Sequence, residues 1–425
     1  MNLKIEKNEL RIILKEEENK FSDFKEKGFK LDISRGKPSP DQLSLSNELD
    51  GILGNNYITE GLDTRNYGQI GGVNELNQIF AQLLSVPVST VKTMGNSSLS
   101  LMYSYILHSY LFGQRGSETA WKNLEEVCFL CPVPGYDRHF AITERFGIKM
   151  IPIQLTGNGP DIQEIEHHLA SNQNIRGIWC VPKYSNPTGE TYSKETILEL
   201  VKLAKKTDST FRIFWDNAYF IHDLEDESDS LTNIYELALS HGVQDKVVQF
   251  FSTSKITHAG SGVAGINTSE NNLKEFIKCL SFMTIGPDKV NQIRHARFLK
   301  NAEDFKLHMR KHKAILTPKF QTVLSTLAKE LVGLPFATWS KPNGGYFISL
   351  DTKLPVAKQV EDLCRNAGLV LTTVGSTFPL MQDPKNSNIR IAPSYPEVGE
   401  LKMATELLAT CIKIASINYL LNNND

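Results

Sequence analysis

The segment Phe250-Phe251-Ser252-Thr253-Ser254-Lys255-Ile256-Thr257 closes an apolar run, Val247 to Phe251, with small hydroxyl residues and a lysine. Such a run reads as a buried strand that delivers an amine into a polar pocket. A lysine placed there has two chemical uses. As an ammonium it pairs with an anion, and as a desolvated neutral amine it attacks a carbonyl to form a Schiff base. An ordinary surface lysine after a strand would be written with the same letters, so the residues that accompany it decide. Three further polar clusters follow apolar runs in the same way: Pro134-Gly135-Tyr136, Asn186-Pro187-Thr188-Gly189, and Asp216 with Tyr219. Late in the chain, Asn388-Ile389-Arg390-Ile391 sets a guanidinium opposite two isoleucines if the segment is a strand. That guanidinium can grip a carboxylate through two parallel N–H bonds or close a structural ion pair.

The elements that must carry these residues follow from pattern. From about Asn74, helical stretches alternate with short β-rich runs at 127–133, 149–155, 177–181, 211–216, 247–252 and 263–267. Alternation of this kind predicts βαβ units and a mostly parallel sheet covered on both faces, an α/β core. Ligands of such sheets collect at the carboxyl ends of the strands, where all the polar clusters above fall. Residues 5–24 read as an amphipathic helix, and Arg35-Gly36-Lys37-Pro38-Ser39-Pro40 as a loop forced by its glycine and prolines. A charge-rich helix follows Asn291, with Pro318 expected to end or kink it and HMRKHK (308–313) expected on a solvated face. Strand-like runs at 345–350, 369–373 and 389–392 predict a smaller α+β domain joined by the N-terminal segment. The expected division is 1–60 as arm and part of the small domain, 61–300 as the large domain, and 301–425 as the small one.

Composition narrows the function classes. At 425 residues the chain exceeds one ordinary core, and a net charge of −2 gives no electrostatic reason to expect nucleic acid or an anionic membrane as partner. No apolar run suggests a membrane span, and the mixed charges of the first residues do not resemble a signal peptide, so a cytoplasmic protein is expected. Six scattered cysteines read as reduced thiols. Cys128 and Cys131 invite a redox or zinc reading, but within VCFLCPV they face opposite sides of a strand, so core packing is expected and no metal.

Asn-Pro-Thr-Gly, Asp-x-x-Tyr, Ser-x-Ser-Lys and a late Arg, in this order over nearly the whole chain, resemble the class I (fold type I) aminotransferases that use pyridoxal 5'-phosphate. Ser34-Arg35-Gly36-Lys37-Pro38, Gly95-Asn96-Ser97-Ser98-Leu99 and Thr253-Ser254-Lys255-Ile256-Thr257 look like a divergent subgroup of bacterial aspartate aminotransferases. The resemblance implies that Lys255 forms the Schiff base with the cofactor and, once displaced by substrate, moves the proton between substrate Cα and cofactor C4'. Asp216 matches the carboxylate facing the pyridine nitrogen, Asn186 and Tyr219 the donors to the ring oxygen, and Tyr136 the aromatic that stacks on the ring. His139 resembles a histidine that supports the carboxylate from behind, though a core histidine would look alike. Gly95, Asn96 and Ser97 open a helix whose N-terminus suits a phosphate, with Ser252 and Ser254 adding hydroxyls. Tyr67 resembles a phosphate-binding tyrosine donated by the other subunit, which implies a homodimer with shared sites. Arg390 matches the residue that holds the substrate α-carboxylate, and Gly36 the segment that closes over the substrate. Arg35 and Lys37 are candidates for a distal carboxylate. One departure stands out: Val263 occupies the position where many members carry a phosphate-pairing Arg. The implied activity is exchange of an amino group between an L-amino acid, aspartate or glutamate, and a 2-oxo acid by a ping-pong mechanism. Lyases and decarboxylases share these motifs, and a regulator that copies the fold would carry an extra DNA-binding domain ahead of them.

Overall fold

In the computed structural model, which describes residues 6–423, seven strands form the central sheet. In spatial order they are Val91–Thr93, Ala264–Asn267, Val247–Ser252, Arg212–Asp216, Ile175–Cys180, Cys128–Val133 and Lys149–Gln154. The last five run parallel; Ala264–Asn267 is antiparallel to both its neighbours. The central strands are buried along their whole length, as both-face coverage demands. Their side chains divide between two cores. One, on Phe129, Cys131, Phe214 and Phe250, packs under the helices Ser98–Leu111 and Glu270–Leu280. The other, on Cys128, Leu130, Ile213 and Trp215, packs under Ile162–Ser171 and Lys194–Lys205. Cys128 and Cys131 thus serve opposite faces of one strand, and all six cysteines are free thiols.

A separate core gathers the N-terminal helix Lys7–Glu26, the helices Ala302–Glu330 and Val398–Asn423, and a three-stranded antiparallel sheet of Ala337–Trp339, Ile348–Thr352 and Asn388–Ile391. Leu31–Asp32 pairs in parallel with Leu369–Val370, which stitches the N-terminal segment to the C-terminal part. The expected helix start at Ile5 lies outside the described residues. The strand expected over 369–373 covers only its first two residues, and that expected over 345–350 begins at Ile348.

Three expectations are corrected. Pro318 does not end its helix, which runs unbroken from Ala302 to Glu330. The N–H it lacks would have met the carbonyl of Ala314, on the exposed side, where water can substitute. HMRKHK is not a uniformly solvated face: Arg310 and Lys311 are exposed, but His308 and His312, one helical turn apart, are buried. Finally, Val398–Asn423 is long and apolar enough by composition to cross a membrane, yet 78% of its most apolar window is buried against the rest of the chain, as suits a core helix.

Candidate active site

The carboxyl ends of the central strands open into a cavity of about 690 Å³. Its lining joins residues far apart in sequence: Arg35 and Gly36 from the N-terminal loop, Tyr136, Asn186, Asp216, Tyr219, Lys255, and Arg390 from the small sheet. Asp216 and Lys255 are delivered by strand ends. Asp216 is the last residue of Arg212–Asp216, and Lys255 follows Val247–Ser252 on a tight turn in which the Ile256 and Thr257 N–H groups both bond the Thr253 carbonyl.

Asp216 is buried and only half satisfied. Its Oδ2 accepts from His139 Nε2 at 3.1 Å, while Oδ1 has no hydrogen-bond partner among the described residues. A buried, bare carboxylate oxygen is costly, so it marks a place where a donor is expected. His139 is fixed from behind: its ring stacks on Trp179 with centroids 4.2 Å apart. Lys255 Nζ lies over the Tyr219 ring, 4.8 Å from its centroid. Loss of hydration lowers the lysine's pKa against the opposing pull of Asp216, which shifts the amine toward its neutral, nucleophilic form. Burial and the nearby Tyr136 and Asp216 raise the Tyr219 phenol well above its usual range, so it remains a donor. Partial burial, with Asp216 nearby, pushes the half-buried Tyr136 phenol up to about 12.

Arg390 closes a structural ion pair on the cavity lining. Nη1 meets Asp137 Oδ1 and Asn186 Oδ1, both at 3.2 Å, and Nε donates to Thr372 Oγ1 at 3.3 Å. The guanidinium stacks on Phe347, 4.7 Å from the ring centroid. Nη2 carries no hydrogen bond to a described residue. The ion pair therefore orients the guanidinium and leaves its Nη2 free. Asp137, Thr372 and Phe347 escaped the sequence reading; of these, only Asp137 sat beside a motif residue. Gly36 is dictated by Phe347 as well, since a Cβ there would fall 2.4 Å from the ring.

The remaining expected residues border the cavity or lie away from it. Gly95, at φ +68°, turns the chain into Ser97, whose side chain caps the helix Ser98–Leu111 by accepting from Ser100 N–H. Asn96 Nδ2 reaches the Gly260 carbonyl of the lysine loop at 3.3 Å, and Ser252 Oγ donates to Ser254 Oγ at 3.1 Å. Ser98, the first residue of that helix, is on the cavity lining. Val263 is buried in an apolar cluster with Phe251 and Ile256 and offers no charge. Tyr67 is 80% exposed and absent from the cavity of its own chain. Lys37 stacks on Tyr395 at 3.8 Å and is not on the lining either.

Comparison with known proteins fits this geometry. The sequence profile described as aspartate amino-transferase matches residues 5–424. The aspartate aminotransferase of Corynebacterium glutamicum is 44% identical over 95% of this chain and 93% of its own. The crystal structure of an aspartate transaminase from the same organism superposes with a TM-score of 0.94 at 42% identity, covering 97% of each chain. The α-aminoadipate aminotransferase LysN of Thermus thermophilus, solved with N-(5'-phosphopyridoxyl)-L-leucine, shares the fold over 95% of each chain at a TM-score of 0.74 and 17% identity. The chain belongs to the aspartate amino-transferase family and is an aminotransferase.

Proposed function

We propose that this aminotransferase uses pyridoxal 5'-phosphate to exchange an amino group between a dicarboxylic L-amino acid, aspartate or glutamate, and a 2-oxo acid. The bare Oδ1 of Asp216, buried in the same cavity as the amine of Lys255, carries this reading, because a protonated pyridine nitrogen is the donor that oxygen lacks. The cofactor, when bound, supplies an electron sink for the bond broken at the substrate Cα. The chain's residues do the rest. Asp216, oriented by His139, would keep the ring nitrogen charged. Lys255 would hold the cofactor through its amine and, when free, would carry the proton to and from Cα. Asn186 and Tyr219 would donate to the ring oxygen, and Tyr136 would cover the ring face. Arg390 would meet the α-carboxylate through its free Nη2, and Arg35, on the cavity lining, is the candidate for the distal carboxylate.

The N-terminus of Ser98–Leu111, with Gly95, Asn96, Ser97, Ser252 and Ser254, suits the phosphate. Tyr67 joins it only from a second copy. Phe282, Met283 and Ile285 are exposed on the segment whose Gly286 packs against Gly68, an apolar patch of the kind that subunit contacts cover. We therefore infer a homodimer with shared sites, and free thiols throughout accord with a cytoplasmic location.

The test is a half-reaction. Cofactor-loaded protein mixed with aspartate and no acceptor should release one equivalent of the matching 2-oxo acid and retain the amino group. Release of carbon dioxide or free ammonia instead would assign a decarboxylase or lyase.

A further inference from the structure

The backbone that carries Lys255 is held by buried side chains that this chemistry does not use. The carbonyls of Lys255 and Ile256 each lie beside two side-chain donors. Lys255 O is 3.3 Å from His222 Nε2 and 3.4 Å from Tyr346 Oη. Ile256 O is 2.8 Å from His308 Nε2 and 2.9 Å from His312 Nε2. A carbonyl only accepts, so all three imidazoles carry a proton on Nε2. His308 Nε2 and His312 Nε2, 3.2 Å apart, therefore converge on one oxygen and do not bond each other. Burial lowers the pKa of all three histidines, His312 to about 4, so they are neutral near pH 7. The Nδ1 of His222, without a partner among the described residues, is then a bare acceptor.

The remaining protons follow from that. His312 Nδ1 must accept, and Gln42 Nε2 donates to it at 3.1 Å. The other hydrogen of the Gln42 amide goes to Tyr346 Oη at 2.8 Å, which leaves the tyrosine proton for the Lys255 carbonyl. Gln42 Oε1 accepts from the Ser39 backbone N–H at 3.1 Å, which fixes the orientation of the amide. Gln42 is fully buried, on the short helix Pro40–Ser44 that follows the cavity-lining loop. Two adjacent residues, Tyr346 and Phe347, thus receive the N-terminal segment. Phe347 meets Gly36 and Arg390, and Tyr346 meets Gln42 and the lysine turn.

We propose that Gln42 is a positioning residue: through Tyr346 and His312 it sets the N-terminal segment that borders the cavity in register with the turn bearing Lys255. The proposal rests on the role of Lys255 given above. Its test uses the cofactor-loaded protein with Gln42→Met, which keeps the length and removes the donors, and Tyr346→Phe, which cuts one link. Gln42→Met should move the pH midpoint of the visible absorbance by about half a unit or more. It should also raise amide hydrogen exchange over residues 34–46 about tenfold, in loaded and cofactor-free protein alike. Tyr346→Phe should repeat part of the midpoint shift, and the double variant should show less than the sum. A Gln42→Met protein with the wild-type midpoint and exchange, whatever its melting temperature, would overturn the proposal. If that variant does not fold, an unshifted midpoint in Tyr346→Phe would overturn it. Wild-type protein that takes up cofactor without any titrating visible band would instead refute the assignment of Lys255.

Discussion

The cavity at the carboxyl ends of the central strands and the seam between the helices Lys7–Glu26 and Val398–Asn423 both bury charge, but they satisfy it differently. In the seam, Glu17 accepts from Lys20 at 2.7 Å, Lys413 at 2.9 Å and Thr410 at 3.0 Å, and Lys413 also lies 3.5 Å from Glu330. The charges there are answered within the folded chain. In the cavity, Asp216 Oδ1 and Arg390 Nη2 have no partner among the described residues, and Lys255 Nζ meets only a ring face. The difference separates groups that hold the fold from groups held in reserve for a ligand. Removing a seam residue should damage stability and spare catalysis; removing a cavity residue should do the reverse.

The sharpest contrast is expected at Lys255. Lys255→Ala should cut transamination by about 10⁴-fold or more, since both the covalent anchor and the proton carrier go. Thermal stability should hold or rise. A lysine with a depressed folded-state pKa costs folding energy wherever the unfolded chain would be charged, that is, below about 10.5. A steady-state assay beside calorimetry checks both halves. Next is Lys413→Met, which leaves the Glu17 carboxylate only Lys20 and Thr410: a loss of about 1.5–3 kcal/mol in chemical denaturation is expected, with KM unchanged in the protein that remains folded. Arg390→Lys should lower kcat/KM for aspartate about 100-fold, chiefly through KM, because an ammonium cannot keep Asp137 and Asn186 and also present a planar fork.

The smallest effect is a pH dependence. The folded-state pKa of Glu17 is lowered, its bonds to Lys20, Lys413 and Thr410 outweighing the burial that by itself raises it. Its stabilising contribution is therefore fully present above the unfolded value near 4.5 and is lost as pH falls through the lower folded value. Urea midpoints between pH 7 and pH 3 should show that loss in the wild type and a flattened profile in Lys413→Met.

The two regions were unequally legible in the sequence. Asp216 and Lys255 could be read because each ends an apolar run, and run ends in parallel sheets are where ligands gather. Arg390 could be read from its alternation with Ile389 and Ile391, but not its ion pair with Asp137, which joins residues 253 positions apart. His308 and His312 were hidden by Arg310, Lys311 and Lys313, whose charges mask an i,i+4 stripe aimed inward. Gln42 carried no signal, since a glutamine after two prolines looks like any loop residue until Tyr346 and His312 are placed beside it. The seam was equally silent: Glu17 sits in a run of charges, KEEENK (15–20), that describes a solvated helix, and only the packing of Val398–Asn423 against it makes that glutamate a buried partner.

The central claim, that the amine of Lys255 is the covalent seat of the cofactor, is tested most directly by borohydride reduction of the protein loaded with pyridoxal 5'-phosphate, followed by peptide mass mapping. The account predicts a phosphopyridoxyl group on the peptide containing Lys255 and its loss when aspartate is added before the reductant. A label on another lysine, or none on a protein that still transaminates, would contradict it.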